Sequence, residues 1–282
     1  MKKYGIIIDS VAYMSQKEIK DFDMIQVSLN IMDKGETYKE TEIDSDFVYN
    51  KLDNGHKLTT SQPAPGEFLD AYEKQFKKGY EKLFVICISE PLSGTYQSAN
   101  LAKNMLDNSD SVHIFESNMA AFGNEMLILE LHRMIEEGKN EEEIISRMNL
   151  LLQSTNLIFT IENMISIYRS GRISKTKAAI GSVLRLKPLI QMINGKLVLL
   201  KSPRTNKGVL ESIISRMAET TKDFDVIHVR ILSHNSLEQA KVLESKIREQ
   251  FKNVVVSFNE YLGPVFCLHL GKRGYGVSWC AE

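Results

Sequence analysis

Between about residue 65 and residue 154, short unbroken apolar runs alternate with longer amphipathic ones, and nothing else in this sequence restricts the fold as much. The stretch "GEFLDAYEKQFKKG" spaces Phe68, Leu69, Tyr72 and Phe76 at helical intervals and stops at Gly79. "KLFVICIS" follows as a buried strand and "GTYQSANLAKNML" as a helix. "VHIFES" supplies another strand. A helix is expected from Met119 to Glu137, ended by Gly138, and another from Glu141 to Leu152, with glutamates in its first turn where the helix dipole favours them. Strands separated by helices pair in parallel, so this half reads as an α/β sandwich. Nearer the start, "YGIIID" and "MIQVSLNIM" each read as one strand, and Asp44 to Leu52 as a short helix capped near Asp44 or Ser45.

Beyond about residue 156 the pattern changes. "LIFTI" reads as a strand and "SKTKAAIGSVLRL" as a helix; "LIQMINGKLVLL" is two apolar runs around Asn194-Gly195, a strong hairpin signal. Then come a helix from about Lys207 to Thr221, a strand "DVIHVRIL", a helix from Leu237 to Phe251, and strands "NVVVSF", "PVFCLHL" and "GVSW". The fold class expected is therefore α/β in two domains: residues 1–155 with a mainly parallel sheet and residues 156–282 with a mixed one. The cleft between them is the default place for a ligand.

With 282 residues and 43% hydrophobic composition the chain is long enough to bury a proper core. Its 35 basic and 36 acidic residues leave a formal charge of −1, which gives no broad field for nucleic acid or an anionic membrane. An acidic ligand must be met by local groups. Cys87, Cys267 and Cys280 lie far apart, as suits reduced thiols in a cytoplasm. The opening "MKKYGIIIDS" reads as a first strand and not as a signal peptide, and no apolar run approaches the roughly 18 residues that span a bilayer.

Four stretches hold candidate chemistry. "TTSQPAPGEF" (59–68) sets Thr59, Thr60 and Ser61 before two prolines and a helix start. "SEPLSGTYQSA" (89–99) follows a buried strand and opens a helix, which places Ser93, Gly94 and Thr95 where free backbone N–H groups can hold an anion. Ser61, Ser93 and Thr95 read equally as helix N-caps. "SGRIS" and "KSPRT" present Arg172 and Arg204 in turn-like surroundings, suited to a structural ion pair or to bidentate contact with a phosphate. "GPVFCLHLGKRGYG" ends an apolar strand at His269 and enters a glycine-rich turn, so its imidazole is either structural or faces an anion. A dinucleotide fingerprint, a Walker loop and a nucleophile elbow are all missing, and the remaining histidines lack metal-ligand spacing.

Taken in order, "IIIDS", "TTSQPAPGEF", "SGTYQSA" after "FVICIS", "SGRIS" with "LKPLI" and "NGK", Arg204-Thr205 and "GPVFCLHLG" resemble the DegV family, and more narrowly its fatty acid-binding, FakB-like members. The resemblance spans nearly the whole chain. It implies two α/β domains around an apolar tunnel that takes a long-chain fatty acid such as palmitate, stearate or oleate. By motif position, Thr60, Ser61, Ser93 and the Gly94 backbone would meet the carboxylate, with His269 beside it. Arg204, and Arg172 with it, would serve where a partner ATP-dependent fatty acid kinase makes the acyl phosphate for phospholipid metabolism. An acyltransferase is a further partner this implies, and the chain itself would be a non-catalytic lipid-binding subunit. Two other readings stand beside it: a small-molecule hydrolase or transferase using Ser93 as nucleophile and His269 as base, which requires a hydrogen bond between them, and a lipid sensor module.

Two places depart from the resemblance. After Asp9-Ser10 stands "VAYMS", without the usual polar residues, so head-group contacts are not expected from that loop. Lys272 and Arg273 replace a small or proline residue and a glycine; either the turn rearranges or the pair adds positive charge to a docking face.

Overall fold

A computed structural model of the chain describes residues 2–162, 164–173, 186–222 and 224–281. In chain order the elements are β1 (Lys2–Asp9), α1 (Gln16–Asp21), β2 (Ile25–Val27), β3 (Asn30–Asp33), β4 (Glu36–Lys39), α2 (Ser45–Asp53), β5 (Thr59–Ser61), α3 (Pro65–Lys77), β6 (Tyr80–Cys87), α4 (Thr95–Lys103) and β7 (Val112–Glu116). There follow α5 (Phe122–Glu136), α6 (Glu141–Ser154), β8 (Asn156–Ile161), α7 (Ile165–Ser170), β9 (Leu189–Ile193), β10 (Lys196–Lys201), α8 (Asn206–Thr221), β11 (Ile227–His234), α9 (Leu237–Gln250), β12 (Val254–Asn259), α10 (Pro264–Leu270) and β13 (Gly274–Ala281). Residues 174–185, most of the helix expected in "SKTKAAIGSVLRL", lie outside the described residues.

The architecture is two α/β lobes, as the alternation predicts. A parallel sheet in the order β2-β1-β6-β7 has α3 and α4 on one face, through Phe68, Tyr72 and Ala99, and α5 and α6 on the other, through Leu127, Leu131 and Met148. A mixed sheet in the order β10-β9-β8-β13-β11-β12 covers one face with α8 and α9. A small antiparallel sheet, β4-β3-β5, completes the N-terminal lobe. Every strand of the parallel sheet precedes Ser154 and every strand of the mixed sheet follows Thr155. The lobes are tightly joined: Glu125 of α5 pairs with Arg230 of β11 at 2.6 Å, and Ser89, at the end of β6, donates to the Gly195 carbonyl at 2.7 Å. Gly195 takes φ +73 and Asn194 φ +48, which closes the expected hairpin between β9 and β10.

Three elements differ from expectation. "MIQVSLNIM" is not one strand: Ser28 and Leu29 separate β2 from β3, because the Leu29 N–H bonds to Ser10 Oγ (2.9 Å) instead of continuing a ladder. The helix expected from Met119 begins at Phe122, since Asn118 and Ala121 both take positive φ, which a helix excludes. "PVFCLHL" is a helix and not a strand. Gly263 is its N-cap and Pro264 its first residue, where the fixed proline φ suits a helix and the missing N–H costs nothing.

Candidate functional site

In a parallel sheet ordered β2-β1-β6-β7 the chain leaves β1 toward β2 on one side, while β6 lies on the other. A crevice therefore opens at the carboxyl ends of β1 and β6. Ile88 lies in its floor and donates its N–H to the Asp9 carboxylate at 2.6 Å; burial pushes the Asp9 carboxyl up to about 7. Above this floor lies a cleft of about 290 Å³, bounded by Thr60, Ser61, Gln62, Ser93, Gly94, Arg172 and His269 on its polar side.

Each polar group arrives on a different element. "TTS" forms β5 and pairs with β3, Thr60 opposite Ile31 and Ser61 opposite Asn30, so these hydroxyls are strand residues and not helix caps. Gly94 caps α4 without a side chain, and Ser93 and Thr95 hydrogen-bond to each other at 2.8 Å instead of capping. A Cβ at Gly94 would collide with the Gln62 amide, whose Nε2 donates to Ser98 at 3.2 Å, so the glycine permits that close approach. His269 comes from α10. There Phe266, His269 and Leu270 recur at helical spacing and line the cleft together, whereas a strand would send Phe266 and His269 to opposite faces.

His269 lies 2.9 Å from the Thr60 hydroxyl. Burial, and then the positive charge of Arg172, pull its pKa down to about 4, so the imidazole is neutral near pH 7 and offers one donor and one acceptor. Arg172 is held at the rim by a bond from Nη1 to the Ser170 carbonyl, 2.6 Å. Arg204 is exposed in the turn before α8 and is not among the residues lining this cleft. The Ser93-to-His269 bond required of a nucleophile and its base is absent: Ser93 bonds Thr95 and His269 bonds Thr60. Lys272 forms an exposed ion pair with Asp53 at 2.8 Å. Positive φ in that turn falls on Gly271 (+90°), and Arg273 escapes strain.

Behind the polar groups, a narrow apolar channel of about 50 Å³ runs between the lobes past Phe122, Leu157, Phe159 and Leu262. Leu92, Leu197, Phe266 and Leu270 line both the cleft and the channel, so a single layer of side chains stands between the neutral donors and the hydrocarbon-lined space. Its wall includes Gly274 and Gly276 of β13, where a Cβ at Gly276 would stand 2.5 Å from that of Phe159.

Sequence reading missed the support under α10. Glu40, buried in the turn after β4, accepts from Ser10 Oγ (2.5 Å), Tyr13 OH (3.1 Å) and the Val265 N–H (3.0 Å), and the Phe266 N–H donates to Tyr13 OH (3.2 Å). This knot fixes the first turn of the helix that carries His269. Burial raises the Glu40 carboxyl to about 7 despite those donors. Ser10 is thereby committed to the knot and does not line the cleft, in keeping with the "VAYMS" departure.

Two α/β lobes, one with a parallel and one with a mixed sheet, enclosing a cleft that adjoins an apolar channel, define the class. The family model described as "Uncharacterised protein, DegV family" matches residues 3–282. The chain belongs to the DegV family. A DegV domain-containing protein of Halalkalibacterium halodurans is 32% identical over 284 residues, covering 100% of each chain. Among solved structures, a fatty acid-binding DegV family protein from Thermus thermophilus superposes with a TM-score of 0.89 at 23% identity, covering 99% of this chain and 100% of that one. A stearic acid-binding protein from Eubacterium ventriosum gives 0.87 at 23%, covering 99% and 98%.

Proposed function

We propose that this protein binds a long-chain fatty acid, with the acyl chain in the interlobe channel and the carboxylate in the cleft, and presents it to a partner ATP-dependent kinase. The observation that carries this reading is the shared lining of the two cavities by Leu92, Leu197, Phe266 and Leu270. A cluster of neutral donors backed by hydrocarbon suits a ligand with one small anionic end and a long apolar remainder. Thr60, Ser61, Ser93, the Gly94 backbone and neutral His269 orient the head without the desolvation cost of a buried cation. Affinity comes from the tail: a chain of about 16 carbons transfers on the order of 10 kcal/mol at ~0.8 kcal/mol per methylene. Such a chain exceeds the channel's present volume, so binding widens it at the half-buried Phe266 and Leu270. The fatty acids in related proteins favour the same ligand class here, with palmitate, stearate and oleate as candidates.

Phosphorylation of the carboxylate belongs to the partner. Ser93 bonds to Thr95 and His269 to Thr60, so the two are not joined as nucleophile and base. Arg172 at the rim and exposed Arg204 are the groups offered to the kinase and to the new phosphoryl charge. A cytoplasmic site of action suits three buried cysteines, Cys87, Cys267 and Cys280, that lie far apart in the sequence.

Native mass spectrometry of the purified protein is expected to find a bound fatty acid, and delipidated protein to take one up with one-to-one stoichiometry. A protein that is empty and indifferent to added fatty acids sinks the reading. Adding a fatty acid kinase and ATP is expected to yield acyl phosphate only with this protein present, less with Arg204→Glu; binding without any effect on kinase turnover would instead make the protein a sensor.

A further inference from the structure

The channel presents apolar surface throughout, but at its far end the layer that closes it is thin. Thr160, Ile161, Arg273, Gly274 and Tyr275 line it, and the same five residues line a separate outer cleft of about 290 Å³ on the C-terminal lobe. One layer of residues thus divides the apolar path from a polar, open space. At its middle stand Gly274, which has no side chain, and Arg273, whose long stem can face hydrocarbon while its guanidinium reaches outward.

The outer cleft has the inventory of a second head-group site. Lys187, Asn206, Asn235, Ser236 and Gln239 face it together with Arg273, and Glu162 is its acidic member. Lys187 and Arg273 are its cations beside Glu162, and Arg273 also borders a neighbouring cleft that holds Glu238 and Glu260. Among the described residues no ion pair is recorded for the Arg273 guanidinium; its backbone carbonyl accepts the Glu162 N–H at 3.1 Å. Asn235 Nδ2 donates to the Lys272 carbonyl at 2.9 Å and so fixes the turn that presents Arg273.

We propose that the channel accepts long-chain acids whose far end is also polar, an ω-carboxylate above all, with that second end reaching the outer cleft beside Arg273. The inference rests on the fatty acid reading and narrows its substrate class. A methyl terminus gains nothing from a guanidinium at the end of its channel. A carboxylate that passes this one layer of residues gains a charge-assisted, bidentate contact.

The test is calorimetric binding of monoacids and α,ω-diacids of matched length, from about 12 to 20 carbons, to delipidated wild type and to Arg273→Leu and Arg273→Lys; a series is needed because only a chain that spans the channel engages both ends. For one diacid length the wild type is expected to bind within threefold of the monoacid or more tightly. Arg273→Leu should weaken that diacid about tenfold more than it changes the monoacid, and Arg273→Lys should restore part of the difference. ω-Hydroxy acids, read in parallel, should show a smaller response to the same substitution. Diacids more than tenfold weaker than monoacids at every length, or an Arg273→Leu effect equal for both classes, overturns the inference and leaves fatty acid binding intact. Failure of monoacids and diacids alike overturns the parent reading instead.

Discussion

The two lobes contribute to the site from different parts of their sheets. The N-terminal lobe uses strand ends: the parallel order brings the carboxyl ends of β1 and β6 side by side, and the loops leaving them hold Asp9, Ser89 and Ser93. The C-terminal lobe uses a sheet face. Along β13 small residues alternate with large ones, so Tyr275, Val277 and Trp279 pack with α8 and α9 while Gly274 and Gly276 leave room for the channel. Parallel strands gather polar backbone at one edge, whereas a mixed sheet supplies a smooth wall. Polar recognition and apolar accommodation therefore come from different lobes and can be broken separately.

The largest effect is expected on the wall. At Gly276 a Cβ would stand 2.5 Å from the Phe159 Cβ and 2.6 Å from the Ile158 carbonyl oxygen, and backbone cannot move aside as a side-chain tip can. Gly276→Leu should cost more than about 3 kcal/mol in urea unfolding or yield no folded protein. A variant that unfolds like wild type would mean the two lobes do not differ in this way.

Next comes the knot joining the lobes. Glu40→Ala leaves the Val265 N–H, Tyr13 OH and Ser10 Oγ without their acceptor in a buried setting, and should destabilise by about 2–4 kcal/mol in chemical denaturation. Because α10 carries His269, ligand affinity should fall with it. A loss of affinity without a loss of stability would show that Glu40 touches the ligand instead of holding the helix.

The polar end alone is tested by Thr60→Val combined with Ser93→Ala. Both are cleft-lining hydroxyls with bonds only to nearby polar side chains, so the melting temperature should change by only a few degrees. Fatty acid affinity should drop about tenfold to a hundredfold by calorimetry, the value of one or two hydrogen bonds to a charged group. An unchanged affinity would remove the carboxylate from this end of the path.

What could be read from the sequence follows the same division. Strand and helix periodicities gave the layers because each element buries one face, and "SGTYQSA" announced its strand-to-helix loop. "PVFCLHL" misled because seven mostly apolar residues are too few to separate helical from strand spacing; only Gly263-Pro264 marked a helix start. Thr60 and His269 stand 209 positions apart, and their 2.9 Å approach depends on α10 folding back over β5, which no local pattern encodes. Glu40 had no signal: one of two acids in "YKETE", it reads as solvent-facing until the tertiary fold buries it. In β13 the small-large alternation was visible, and Gly274 and Gly276 could have been read as one face of a strand.

The smallest expected effect separates the knot's charge from its geometry. Glu40 has its pKa raised to about 7 in the folded protein, chiefly by burial, against 4.5 for an ordinary glutamate. A raised carboxyl stabilises the fold fully below the unfolded value, and that stability is lost as pH rises through about 7. Asp9, also raised to about 7 by burial, acts in the same sense, while His234 and His269, lowered by burial, favour the folded state as pH rises. Wild-type stability alone would mix these trends, so the measurement is the difference between wild type and Glu40→Gln. Glutamine keeps an acceptor for the Val265 N–H but cannot ionise. Relative to wild type, Glu40→Gln should gain just under about 1 kcal/mol between pH 6.5 and pH 8, as wild-type Glu40 gives up its buried proton. A difference that stays flat across that range would mean Glu40 is already ionised at pH 6.5, with its three donors outweighing burial.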